Sequence, residues 1–367
     1  MRASLVALLL MLPSFTHARE RFTEQQANDW LTRHGWLAGA NFGPSSAINE
    51  LEMWQADTFD PATIDRELGW AEGLGFNCMR VFLHDLAWRE DKEGFIRRMD
   101  QYLAIADKHH LKTDFVLFDS CWDPFPKAGR QREPKKGLHN SGWVQSPGLE
   151  LLTHSDKWDA ELKPYVLQVV SKFRDDPRIA FWETINEPDN TNDSSYGKQE
   201  PANKKELATQ LLQKAFEWAR SVDPTQPITS GVWMGDWPDD AKLSPTEKVQ
   251  LHESDIISFH NYGKLEQIEK CVEHLKRYNR PILCTEYMAR PMGSRFDPVL
   301  GYLKSQNVAA INWGFVSGKT NTIYPWDSWQ HAYDAEPPLW FHDIFRTDGT
   351  PYDPKEVDYI KKTTGAK

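Results

Sequence analysis

Eight short apolar runs recur between residues 36 and 315, separated by longer stretches with helical patterning. This alternation constrains the fold more than any other feature of the chain. The runs are WLAGANF (36–42), NCMRVFL (77–83), KTDFVLF (112–118), RIAFWETIN (178–186), PITSGVW (227–233), DIISFHN (255–261), PILCTEY (281–287) and VAAINWGF (308–315). Runs of this length read as strands of a parallel sheet, which buries both of its faces. Between them, Asp60 and Pro61 make a helix start ahead of Ile64, Leu68 and Ala71. A stripe of Phe95, Met99, Tyr102, Leu103 and Ala106 marks a helix over 93–110. Asn203 and Glu206 form a capping-box pair before Leu207, Leu211, Leu212 and Phe216. Leu265, Ile268, Val272 and Leu275 mark another helix, and Asp297-Pro298 starts a short one. The weakest link is 234–254, which offers only a short, poorly patterned helix. Eight strands alternating with helices predict an α/β chain folded as a single (β/α)8 barrel. A helix from Thr23 to about His34 is expected to close the barrel bottom. Long connections follow the third strand (119–160) and the eighth (316–353), and loops of that length in a compact domain are usually functional.

The first 18 residues stand apart. Arg2, the apolar run ASLVALLLML and the small-residue site Thr16-His17-Ala18 read as a secretory signal peptide. The barrel domain is then 19–367, and the expected location is periplasmic or secreted. Export permits disulfides, yet the four cysteines show no paired or metal-ligand spacing, so free buried thiols are expected. A net charge of −10 argues against nucleic acid or an anionic membrane as partner, both of which reward basic surfaces. No later run is apolar enough to span a membrane, and no protein partner is evident.

Two carboxylates stand at strand ends. In FWETINEPDN (181–190) the apolar run stops at Asn186-Glu187-Pro188. Proline gives no ladder donor and biases its predecessor toward extended backbone, so Glu187 is expected, extended, where the fourth strand ends. RPILCTEYMAR brings Glu286 to the end of the seventh strand, 99 residues later. A barrel of about 250 residues averages roughly 31 per unit, so three units span roughly 94. The spacing therefore sets both acids at one barrel mouth. Two facing carboxylates are the equipment for cleaving a glycosidic bond. Glu183, of the same strand parity as Glu187, reads as a buried ion-pair residue with Arg80 as its candidate partner.

Taken together these segments resemble the clan A glycoside hydrolases, family five in particular, along the whole mature chain. Asn186-Glu187-Pro188 resembles that family's acid/base segment, and Glu286 in CTEY its nucleophile. His260 and Tyr262 in ISFHNYG, Arg80 in MRVFL and Trp313 in INWGF resemble its strand-six, strand-two and strand-eight site residues. The resemblance implies a retaining hydrolase of β-linked glycans, with transglycosylation on the same site or sugar binding without turnover as alternatives. On that reading Glu187 is protonated at rest, its pKa raised by burial and by Glu286. Glu286 stays ionised beside Arg80 and Tyr262, and Asn186 meets the sugar 2-hydroxyl. No metal or cofactor is implied, and no clustered ligand set is visible in the sequence.

The chain carries 16 Trp, 18 Phe and 11 Tyr, and aromatic faces serve either as core or as platforms for sugar C–H faces. Trp313 is a candidate platform. Trp122, Trp233, Trp237 and Trp326 are open between platform and loop core. Asp119 either binds a hydroxyl or makes an Asx-turn. The two aromatic loops are expected to wall off one end of a cleft, making a pocket that favours short substrates or chain ends.

Overall fold

A computed structural model describes residues 18–366, so the signal-peptide reading lies, except for Ala18, outside the described residues. Every one of the eight apolar runs contains a strand: β1 (Ala38–Asn41), β2 (Cys78–Phe82), β3 (Lys112–Asp119), β4 (Ile179–Asn186), β5 (Ile228–Thr229), β6 (Ile257–His260), β7 (Ile282–Glu286) and β8 (Ala309–Asn312). They pair in parallel in the order β5-β4-β3-β2-β1-β8-β7-β6. The ring closes between β5 and β6 through the Val232 amide, which donates to the Ser258 carbonyl, and the His260 amide, which donates back to Val232. A chain of eight parallel strands with the first pairing the last is a (β/α)8 barrel, as the alternation predicts.

The helices follow from their local chemistry. Pro61–Gly73 begins where the Asp60 carboxylate accepts from the Thr63 amide, with Pro61 in the first turn. The weakly patterned 234–254 segment still forms Pro245–Glu253, because Ser244 and Glu247 make a reciprocal capping box. The corresponding box expected at Asn203 does not form. Asn203 sits at φ −102°, ψ 23°, and its side chain makes no capping bond to Lys204–Ser221. The helix Glu24–His34, capped by Thr23 and Gln26, plugs the barrel bottom as expected. Its Ala27 and Trp30 cluster with Leu37, Phe181, Ile256 and Leu283 from the strand starts, and the Trp30 indole donates to the Ala180 carbonyl.

All four cysteines are free and buried. Among the described residues no helix is long and apolar enough to cross a membrane.

Candidate active site

The site is assembled around one guanidinium. Arg80 on β2 is fully buried. Its Nε and Nη2 donate to the two oxygens of Glu183 at 2.9 Å each. Nη1 donates to Glu286 Oε1 at 2.6 Å and to Asn41 Oδ1 at 2.7 Å. Nη2 also reaches Asn186 Oδ1 at 2.8 Å. A charge with no exposure needs this many acceptors, because burial penalises the charged form unless it is paired and hydrogen-bonded. The Arg80–Glu183 ion pair expected from strand parity is present, and the same arginine holds Glu286.

Glu187 and Glu286 come together at the barrel mouth. His260 Nδ1 lies 2.8 Å from Glu187 Oε1 and 3.6 Å from Glu286 Oε2. One ligand-type atom from each of Glu187, His260 and Glu286 falls within 4.8 Å of the others. Each acid has a further donor: Asn190 Nδ2 donates to Glu187 Oε2 at 2.7 Å and Tyr262 Oη donates to Glu286 Oε2 at 2.6 Å. This trio is a metal-ligand type of cluster that the sequence does not reveal, although Arg80, Asn190 and Tyr262 occupy its outer lone pairs.

Several expectations need correction. The fourth strand does end at Asn186, but Glu187 is not extended; its φ is +41°. A non-glycine residue in the left-handed region is strained and is held there by its surroundings. The turn aims the carboxylate at His260 and Asn190.

The order of proton affinities is also reversed. Burial alone would push Glu187 up, but the hydrogen bond and charge of His260, with help from Asn190, hold it below the usual carboxylate range. Burial pushes Glu286 up, only partly offset by His260 and Arg80, while Glu187 adds to the rise. His260 itself is raised, because Glu286 and Glu187 outweigh its burial. The three therefore titrate as one unit. His260 Nε2 is buried without a partner, so in the neutral ring the proton belongs on Nδ1, where it donates to Glu187.

Asp119 is the Asx-turn of the two readings. Its Oδ1 accepts from the Cys121 amide at 3.0 Å and from Asn186 Nδ2 at 2.9 Å, and its Oδ2 accepts from the Trp143 indole at 2.7 Å. Burial pushes it up to about 6. It stands behind Asn186 rather than in the mouth. Trp237 is core: it is 3% exposed, packs edge-on against Phe259 of β6 and donates to Glu247. Phe259 alternates with His260, so Trp237 lies on the outer side of β6.

The other tryptophans line the rim. Trp313 packs edge-on against Phe82 and Trp143, and Trp326 against Tyr262 at 5.1 Å. Trp122 stacks on Trp329 at 5.7 Å. The Trp233 indole donates to Asp189, two residues beyond Glu187.

Sequence reasoning missed Cys121, whose thiol lies 3.4 Å from Glu187 Oε2, and also Asn190, Trp143, Asn140 and Trp329. Cys121 carries a faint signal, two residues past a strand-ending acid. The others lie in loops with no periodicity to read.

A sequence model of the TIM-barrel domain of the family 2 glycosyl hydrolases matches residues 136–305. No curated protein matches the chain. Solved structures do. The endo-β-1,4-mannanase of Thermotoga petrophila superposes with a TM-score of 0.57 at 16% identity, over 92% of this chain and 77% of that one. A GH5_18 protein of Streptomyces cattleya in complex with GlcNAc gives 0.55 at 13% identity, over 90% and 79%. A GH5-4 broad-specificity endoglucanase from an uncultured bacterium gives 0.55 at 11% identity, over 92% and 96%. The chain resembles the clan A glycoside hydrolases, family five among them. At these identities the likeness to solved structures is one of fold: a TIM barrel whose strand ends carry the residues described above.

Proposed function

We propose that the chain is a retaining β-glycoside hydrolase acting on β-linked glycans or oligosaccharides. The observation that carries this is the gap between the acids: one oxygen of Glu187 and one of Glu286 lie within 4.8 Å of each other. Retaining enzymes set their carboxyl groups about 5–5.5 Å apart, whereas an inverting pair needs about 6.5–9.5 Å to admit a water.

In this reading Glu286 attacks the anomeric carbon as a carboxylate, supported by Arg80 and Tyr262. Glu187 delivers a proton to the leaving oxygen. That proton comes from the imidazolium form of His260, moving from Nδ1 to Oε1 as the sugar displaces solvent; once Glu187 carries it, the ring is neutral with its remaining proton on Nε2. Once Glu286 is esterified its charge is gone, and with it part of what holds protons on Glu187 and His260. Glu187 is then the base that takes a proton from water in the second step. Both ends of the Asn186 carboxamide are engaged, but its second N–H faces Cys121 Sγ at a weak 3.5 Å. That hydrogen is the one a 2-hydroxyl would take. Trp313 is the platform beneath the ring. Export to the periplasm or medium belongs to the same proposal, on the strength of residues 1–18.

The mannanase and endoglucanase neighbours put β-1,4-linked hexose chains first in a substrate screen, alongside xylans and aryl β-glycosides. On the best substrate, Glu187→Gln and Glu286→Gln should each lose nearly all turnover. Azide should restore Glu187→Ala and yield a β-glycosyl azide. An α-configured azide, or a Glu286→Gln variant with parental turnover, would refute double displacement.

A further inference from the structure

Within the segment after β8 (316–353), residues 319–330 reach loops on several sides of the barrel mouth, while Phe345 returns to pair with Phe315 and pack on Trp70. On the β1 side the Lys319 amide donates to the Ser45 carbonyl and its ammonium pairs with Glu52 at 2.7 Å. At the β3 loop, the Thr320 carbonyl accepts from the Asn140 amide at 2.8 Å and the Asn321 carboxamide donates to Lys135. Ser328 Oγ accepts from the His139 amide. Further along, Trp326 meets Tyr262 after β6, Trp329 stacks on Trp122, and the Gln330 carboxamide donates to the Ser194 carbonyl after β4. The strap is therefore pinned to the loops after β1, β3, β4 and β6. Beneath it Glu187 and Glu286 are only 8% and 4% exposed.

A polysaccharide bound at mid-chain needs a groove open at both ends. We propose, building on the glycosidase reading above, that the strap makes this a chain-end enzyme. The pocket takes one sugar, the non-reducing terminal residue, and Asn140 reads it.

The direction follows from the two acids. The leaving sugar departs on the side of Glu187, which delivers its proton. There Trp233 is held by Asp189, and the neighbouring Met234 is 57% exposed. Among the described residues no hydrogen bond or aromatic contact ties 233–236 to the strap, so this side is the open one. The opposite side, past Trp313, narrows. It begins at Asn41, which shares Arg80 Nη1 with Glu286. It leads into a half-open recess with about 30 Å³ of free space, lined by Phe82, Asn140, Trp143 and Thr320. That space suits one or two waters, or one polar substituent of a sugar. Asn140 is 1% exposed and neither atom of its carboxamide has a protein partner. A buried amide left unpaired is costly, and a hydroxyl or hydroxymethyl group reaching past Trp313 would pair with it.

The test uses the full mature chain with aryl β-glycosides, borohydride-reduced β-1,4-linked hexose tetra- and hexasaccharides, and the parent polymers. Expected are monosaccharide as the sole early product, oligosaccharides shortened one unit at a time, and polymer viscosity that stays level while monosaccharide accumulates. A rapid fall in viscosity with mixed oligosaccharides from the start would overturn the chain-end proposal while leaving the glycosidase reading intact. No turnover on any of the three classes would overturn that reading and this proposal with it. Asn140→Ala should raise KM for the aryl glycoside about tenfold and leave kcat within a few-fold, with Asn140→Ser intermediate. An unchanged KM in both variants would remove Asn140 from the recognition role.

Discussion

Tyr262 offers the sharpest test of how the nucleophile is held. Its hydroxyl donates to Glu286 Oε2 at 2.6 Å, while Arg80 serves Oε1 at 2.6 Å. Tyr262→Phe deletes one of these two bonds and leaves the ring contacts with Trp326 and His342 in place, so the fold should be undisturbed. A hydrogen bond to a charged group contributes about 1.5–3 kcal/mol. At 1.36 kcal/mol per decade that corresponds to roughly 10- to 150-fold in rate. The loss should appear where Glu286 leaves as a carboxylate, in breakdown of the glycosyl-enzyme. Activated aryl glycosides, for which that step limits turnover, should therefore show it in kcat, with a larger pre-steady-state burst. The pH dependence has a definite sign. Burial already pushes Glu286 up, and the Tyr262 bond is among the forces restraining it; without that bond it rises further. The first step needs Glu286 ionised, so the acid limb of kcat/KM should move to higher pH. An unchanged kcat with an unmoved acid limb, or a limb displaced to lower pH, would refute this account of the nucleophile.

Two further outcomes follow from the buried charges. Arg80→Met leaves Glu183, Glu286 and Asp114 without the cation that faces them. Breaking such a buried set should destabilise the chain by about 3–5 kcal/mol, read as a lowered urea midpoint; a loss under about 1 kcal/mol would contradict the network described here. His139 sits at the seam of the strap, and burial, only partly offset by its contact with the Tyr324 carbonyl, pushes it down to about 4. The unfolded chain protonates this ring near 6.5, so its contribution to stability is whole above that pH and is lost as pH falls toward 4, by at most about 3 kcal/mol. The stability gap between the parent and His139→Gln should narrow steadily from pH 7 to pH 4.5, measured by paired thermal melts. A constant or widening gap would mean that the ring is not kept neutral.

Much of the framework was legible in the sequence, and for identifiable reasons. Parallel strands buried on both faces leave apolar runs, and each of the eight runs contains one. Pro188 marks the end of β4, and the 99 residues between Glu187 and Glu286 carry three barrel units of ordinary length. β5 shows where this reading weakens: of PITSGVW only Ile228–Thr229 pairs regularly, with Val232 making an isolated bridge to Phe259. The Asn203–Glu206 pair has the residue types of a capping box without the backbone to use them, so composition was necessary there but not sufficient. The strap was legible as a long aromatic connection expected to wall off one end of a cleft, but its course was not, because that depends on single contacts such as Asn140 with Thr320 and Trp329 with Trp122, and none of these recurs with a period. The proton order was hidden for a related reason. It turns on His260 lying 2.8 Å from one acid and 3.6 Å from the other, a difference smaller than a bond length. Types and spacings of residues set which groups meet at a barrel mouth; which of them holds the proton is decided by tenths of an ångström, and those depend on the left-handed turn at Glu187.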